Sequence, residues 1–271
     1  MTAQLSAPEA LLALAGEYNR HNDALNSLAI MEINGTSPAT SVGKQIPRTQ
    51  HLAHSALHIV DALNHQRMYH SPGIRSAYAR IRQLAHLALD AADHLLDAED
   101  ILDDARVGAP SEDGPPLTPQ EARSEVRDRL ALVRDLTALG ADDTVATAEL
   151  LVTEMRRQRL LPADQLLDLS PAQHTALRAV AQGHVTIDRH DDKPRVSRDD
   201  LRISISTIRS LETRGLVGRE ETPRILHDER IHLTADGCRT LAASFGHARP
   251  PALTTARPAQ VKAAASPARS R

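Results

Sequence analysis

Aromatic side chains are almost missing from this chain: among 271 residues there are three Tyr, one Phe and no Trp. A core without rings has to be assembled from Leu, Ala, Ile and Val, which supply most of a hydrophobic fraction of 41%. Those residues suit closely spaced helices and suit large sheets poorly. The tyrosines lie in the N-terminal half and do not interleave with basic clusters, which excludes a stacking platform for single-stranded nucleic acid. The single Cys238 excludes an internal disulfide framework, fits a reducing compartment, and reads as a small packed side chain. No window of 18 consecutive apolar residues exists, so no membrane-spanning helix is expected. No basic-then-apolar segment opens the chain, so no secretory signal is read and a cytoplasmic location is expected. The 12 glycines fall at breaks, leaving no loop to cradle a phosphate. G-x-S-x-G, G-x-x-x-x-G-K-[ST], G-x-G-x-x-G and H-E-x-x-H are all absent, so no enzyme and no cofactor are expected.

Lysine is scarce too, with 3 against 29 Arg, a bias that reads as compositional more than as a choice for bidentate contacts. The formal charge of −3 hides an asymmetry. Residues 1–169 carry 15 basic and 24 acidic side chains, a balance of −9, whereas residues 170–271 carry 17 and 11, a balance of +6. That pattern fits an acidic assembly domain joined to a basic binding domain. Five of the positive charges, Arg249, Arg257, Lys262, Arg269 and Arg271, lie after His247, so residues 170–247 are only +1.

Helical periodicity dominates residues 1–162. A helix is expected over residues 8–30, then a flexible link to about Pro47, then a helix from about Arg48 to Tyr69 ended by Ser71-Pro72-Gly73. The next helix is the clearest element. Ile74, Ala77, Ile81, Leu84, Ala88, Ala91, Leu95, Ala98, Leu102 and Ala105 keep the 3-4 spacing of a coiled-coil seam, matched by Leu52, Ala56, Ile59 and Leu63 before it. The two helices are expected to form an antiparallel hairpin whose Ala-rich seam needs a third helix or a second subunit. Thr118-Pro119-Gln120-Glu121 is a capping box opening a further helix to near Gly140, and another helix is read from about Asp143 to Leu161.

The most informative stretch is residues 203–220, I-S-I-S-T-I-R-S-L-E-T-R-G-L-V-G-R-E. Ile205, Ile208 and Leu211 form one apolar helical stripe, and Ser204, Ser206, Thr207, Arg209 and Ser210 fall on the faces left over. Gly215 stands where a left-handed helix end is cheapest, and Leu216-Val217 begins an extended run. Ser170-Pro171-Ala172-Gln173 caps an upstream helix, Arg230-Ile231-His232-Leu233 alternates as a strand, and Thr234-Ala235-Asp236-Gly237 opens a last helix to about Ser244. The S-T-I-R-x-L-x-x-R-G-L-V and L-T-A-D-G pieces together resemble the MarR-like winged helix-turn-helix family over about residues 168–246. In one respect they depart from it: residues 197–202 leave the supporting helix before the turn shortened by about a turn. Its place is shared with a hairpin of residues 185–187 and 194–196.

The expected fold is mainly α: an N-terminal antiparallel helical bundle or coiled coil (1–162), a small α+β winged helix (168–246) and a disordered basic tail (249–271). The resemblance implies a DNA-binding protein, a bacterial transcriptional regulator that reads duplex DNA as a homodimer. Contacts are expected from Ser204, Ser206, Thr207, Arg209, Ser210, Arg214, Arg219, Arg224 and Arg230. The alternative is a non-enzymatic adaptor whose coiled coil and winged helix both bind protein partners. Two histidine-bearing helix faces, His51/His54/His58/His65 and His86/His94 with Asp90 and Asp93, read as solvated surface, not metal sites. With few aromatics and no convergent polar cluster in view, a small-molecule sensor is the least supported reading.

Overall fold

The computed structural model describes residues 5–31, 38–110, 115–160, 169–222 and 228–246. The tail at 249–271 and Arg224 lie outside them. Among the described residues are nine α-helices and one four-stranded antiparallel sheet.

The spine is α4 (Pro72–Val107), 36 residues long, or about 54 Å at 1.5 Å per residue. Its start is capped by Ser71, whose Oγ accepts from Ile74 N at 3.2 Å, with Pro72 in the first turn. It ends at Gly108 in the left-handed region. The seam from Ile74 to Ala98 is buried, whereas Leu102 and Ala105 are only half-buried. Neighbours from the same chain cover it: α3 (Ile46–Asn64), α5 (Pro119–Thr137) and α6 (Gly140–Arg157). A third helix therefore fills the need that the Ala-rich seam creates. The expected flexible link before Pro47 instead contains α2 (Pro38–Gly43) and the first residue of α3, Ile46. Val42 and Ile46 are buried there, and that apolar anchor overrides the turn-like composition. The capping box predicted at Thr118 is present, with Glu121 N donating to Thr118 Oγ1 and Thr118 N donating to Glu121 Oε2.

Helix α1 (Ala7–Met31) packs on α3 and α6 and also reaches the C-terminal half. That half runs α7 (Pro171–Ala181), β1 (Val185–Asp188), β2 (Pro194–Val196), α8 (Ile205–Thr213), β3 (Val217–Glu221), β4 (Asp228–Leu233) and α9 (Ala235–Ser244). The strands order as β2-β1-β4-β3, with Pro194 on the edge strand, where its missing N–H is harmless. One continuous apolar core joins Leu11, Leu12 and Tyr18 of α1 to Leu177, Ile208, Leu216, Ile231, Leu241 and Phe245. Polar ties reinforce it: Asn19 Nδ2 donates to Ala181 O at 3.1 Å, and an Arg156 Nη2 donates to Ala243 O at 2.6 Å. The acidic and basic halves are thus knit through α1 and α6. A second core lies toward the far end of α4, around Leu25, Val42, Leu95, Val126 and Leu130.

Two glycines are required by geometry. Gly215 ends α8 at φ +67, with its N–H on Glu212 O and that of Leu216 on Leu211 O. A Cβ on Gly237 would collide with the carbonyl oxygen of Leu216, so the glycine of L-T-A-D-G lets α9 sit directly on the start of β3.

Cys238 is buried, and burial, with Glu9 nearby, pushes its thiol up to about 12, which leaves it protonated and inert. No helix among the described residues is long and apolar enough to cross a membrane.

Candidate nucleic-acid interface

Helix α8 exists because Ile208 and Leu211 bury completely against the shared core while its N-terminus is capped. Ser204 holds an extended backbone and its Oγ accepts from Thr207 N at 3.2 Å. Ser206 Oγ and Thr207 Oγ1 each lie 2.8 Å from Ser204 Oγ, so three hydroxyls crowd the positive end of the helix. Ser204 and Ser206 are exposed, and Arg209 follows one turn on with 62% of its side chain exposed. Hydroxyls and a guanidinium at an open helix N-terminus are groups that can engage phosphate oxygens and base edges.

The nine residues expected to contact DNA fall into separate groups. Ser204, Ser206 and Thr207 form the hydroxyl cluster. Arg209 and Arg219 are brought together by a carboxylate: Arg209 Nη2 lies 2.6 Å from Asp192 Oδ2, and Arg219 Nη1 lies 2.8 Å from Asp192 Oδ1. Arg219 also reaches Glu212 at 2.7 Å and Glu229 at 3.5 Å. These partners, Glu212 first and Asp192 next, hold its guanidinium even more firmly protonated than usual. Ser210 and Arg214 meet on one amide, since Gln173 Nε2 donates to Ser210 Oγ at 3.0 Å and Gln173 Oε1 accepts from Arg214 Nη1 at 3.3 Å. Arg230 points away from this face. Its side chain is 13% exposed, pairs with Asp23 of α1, and donates to Gly183 O at 2.6 Å. Its place as an expected contact is therefore corrected: it is a buried tie between α1 and β4. Arg224 lies outside the described residues.

The shortened supporting helix is also corrected. Residues 197–204 hold a bend, a turn and irregular backbone without a helix, and the β1–β2 hairpin stands in that place. The sequence explains the change: Asp188, Asp191 and Asp192 favour a tight turn. The N–H of His190 donates to Asp188 Oδ1, and the N–H of Lys193 donates to Asp191 Oδ1.

Three residues that matter here were not among the contacts expected from the sequence. Asp192 and Gln173 organise the arginines and serines, and Arg202, exposed just before the Ser204 cap, has no ion pair among the described residues. A signal for Asp192 existed: residues 170–247 are only +1, so carboxylates had to lie among the arginines. No group of three or more His, Cys, Asp or Glu among the described residues is placed to hold a metal ion. Comparison with protein-family models, with curated proteins and with solved structures finds no match for this chain.

Proposed function

We propose that the chain binds duplex DNA through the exposed N-terminal turn of α8 and acts as a cytoplasmic, non-enzymatic transcriptional regulator. The observation that carries this reading is the division of one short helix. Ile208 and Leu211 are fully buried while Ser204, Ser206 and Arg209 face outward at its positive end. The order α7, β1, α8, β3, β4, α9, with β1-β4-β3 adjacent, supports a winged-helix reading of MarR-like kind in which a β-hairpin replaces the supporting helix. The basic residues after His247 would add sequence-independent attraction to phosphates.

The test is a fluorescence-anisotropy titration of the full chain with random-sequence duplex at about 50 and about 200 mM salt. Binding that weakens steeply with salt supports the reading; no binding at the lower salt rejects it.

A homodimer belongs to the same proposal, because paired recognition helices read half-sites about one helical turn apart. The α4 seam is occupied within the chain, so the dimer surface is assigned to the outer face of α4. Leu89 and Leu96, seven residues apart there, are 38% and 40% exposed. Sedimentation should give a dimer for the wild type and a monomer for Leu89→Lys/Leu96→Lys; a wild-type monomer at micromolar concentration ends this part of the proposal.

One observation favours a second reading, the adaptor. Arg195, Arg198, Arg209 and Arg219 are each matched by a carboxylate, which makes the face nearly neutral and suits a protein partner. The same titration separates the two readings.

A further inference from the structure

A cleft of about 770 Å³ opens between α1, the start of α3 and the β3–β4 pair. Its wall is charged, and most of its charges are already matched. Arg20 lies 3.6 Å from Glu220, and Arg230 pairs with Asp23. Four groups are left over, one of them the exposed carboxylate of Glu221, which has no ion pair among the described residues. His21 is 4% exposed, lines the cleft, and neither of its ring nitrogens has a hydrogen-bond partner. Glu17, one turn earlier on the same helix face, has a buried Oε2 without a partner, its Oε1 lying 3.7 Å from His51 Nε2. Arg48, at the start of α3, is exposed and has no ion pair among the described residues.

Buried polar atoms without partners are rare and costly, and a bound molecule that supplies the missing partners removes the cost. The leftover set defines that molecule. Burial first, and the charge of Arg48 second, hold His21 down to about 4, so at neutral pH its ring offers one donor and one acceptor. Arg48 calls for a carboxylate, which it can hold in a two-pronged contact. Glu17, whose unpartnered oxygen is buried, calls for a cation, and the unmatched Glu221 adds to that preference. A polyanion is disfavoured, because Glu17, Asp23, Glu220 and Glu221 line the same wall.

We propose that this cleft binds a small zwitterion, a free amino acid or a short peptide. Its carboxylate lies on Arg48, its ammonium on Glu17 and a neutral polar group on His21. The inference does not rest on DNA binding, since it uses only α1, α3 and the strand pair.

The experiment follows the imidazole cross-peaks of the full chain, with histidine labelled in the ring and the His21 peak assigned through His21→Gln. The probes are each of the common amino acids and trialanine, with N-acetylalanine and alaninamide lacking one charge each. The expected result is a saturable shift of the His21 peak by at least one zwitterion below about 10 mM, with at least tenfold weaker binding for Arg48→Gln and Glu17→Gln. Tighter binding of trialanine than of any amino acid identifies a peptide site, and the reverse identifies an amino-acid site. The proposal is overturned if no zwitterion moves the peak, or if the singly charged analogues move it equally.

Discussion

Asp192 Oδ2 lies 2.6 Å from Arg209 Nη2, and the same carboxylate reaches Arg219 at 2.8 Å. A carboxylate of this chain thus occupies the guanidinium groups that, on the proposed DNA-binding reading, would meet phosphate. It is presented at φ +51, a left-handed conformation that Asp tolerates better than most residues. Hydrogen bonds from Arg209, then Arg219, hold its carboxyl below the usual aspartate range. The contact is therefore complete above ordinary aspartate values and is lost only as pH falls through the depressed one. Asp192→Ala should free Arg209, while Arg219 keeps Glu212 and Glu229. Duplex affinity should rise, and the slope of log affinity against log salt should steepen by about 1 unit. Unchanged affinity and slope would show that Arg209 does not meet phosphate.

Arg230 leads to a stability prediction. Arg230 and Asp23 are 13% and 11% exposed, so removing the guanidinium leaves a buried carboxylate unpaired. Arg230→Ala should cost about 3–5 kcal/mol, read by urea unfolding. The double variant Asp23→Asn/Arg230→Ala should recover part of that loss. A single variant as stable as wild type would contradict the assignment of this pair as the tie between α1 and β4.

His21 makes stability depend on pH. The unfolded imidazole takes up a proton near 6.5, whereas the folded one, buried and facing Arg48, does so only near 4. The folded state therefore loses stability as pH falls from about 6.5 toward about 4. Glu17 and Asp23 on α1, His51 on α3, and Glu220, Glu221 and Arg230 on the strands share the cleft with His21. Comparison with His21→Gln isolates the histidine: its stability loss between about pH 7 and pH 5 should be smaller by about 2 kcal/mol. Equal losses would mean that His21 is solvated.

Local signals in the sequence carried much of this architecture. The capping motifs at Thr118, Ser170 and Thr234, the left-handed Gly215 and the β1–β2 hairpin all stand where residue chemistry places them. The Ile74–Ala98 stripe is buried as its spacing demands. What escaped was long-range. Periodicity says that a stripe is buried but not by what, so the cover from α5 and α6 was open to confusion with a second subunit. Arg230 reads like any cationic strand residue until Asp23, 207 positions away, is brought against it. The Glu17–His21–Arg48 cleft needs α1 and α3 side by side, which no window of sequence displays.

The most direct test of the account is the specificity of Arg209. A binding site is selected from a random duplex library with the full chain, and wild type and Arg209→Ala are titrated on the selected and on random DNA. Arg209→Ala should lose about 1–3 kcal/mol on the selected site and far less on random duplex. If no sequence is enriched, or if Arg209→Ala binds the selected site as tightly as wild type, α8 does not read DNA.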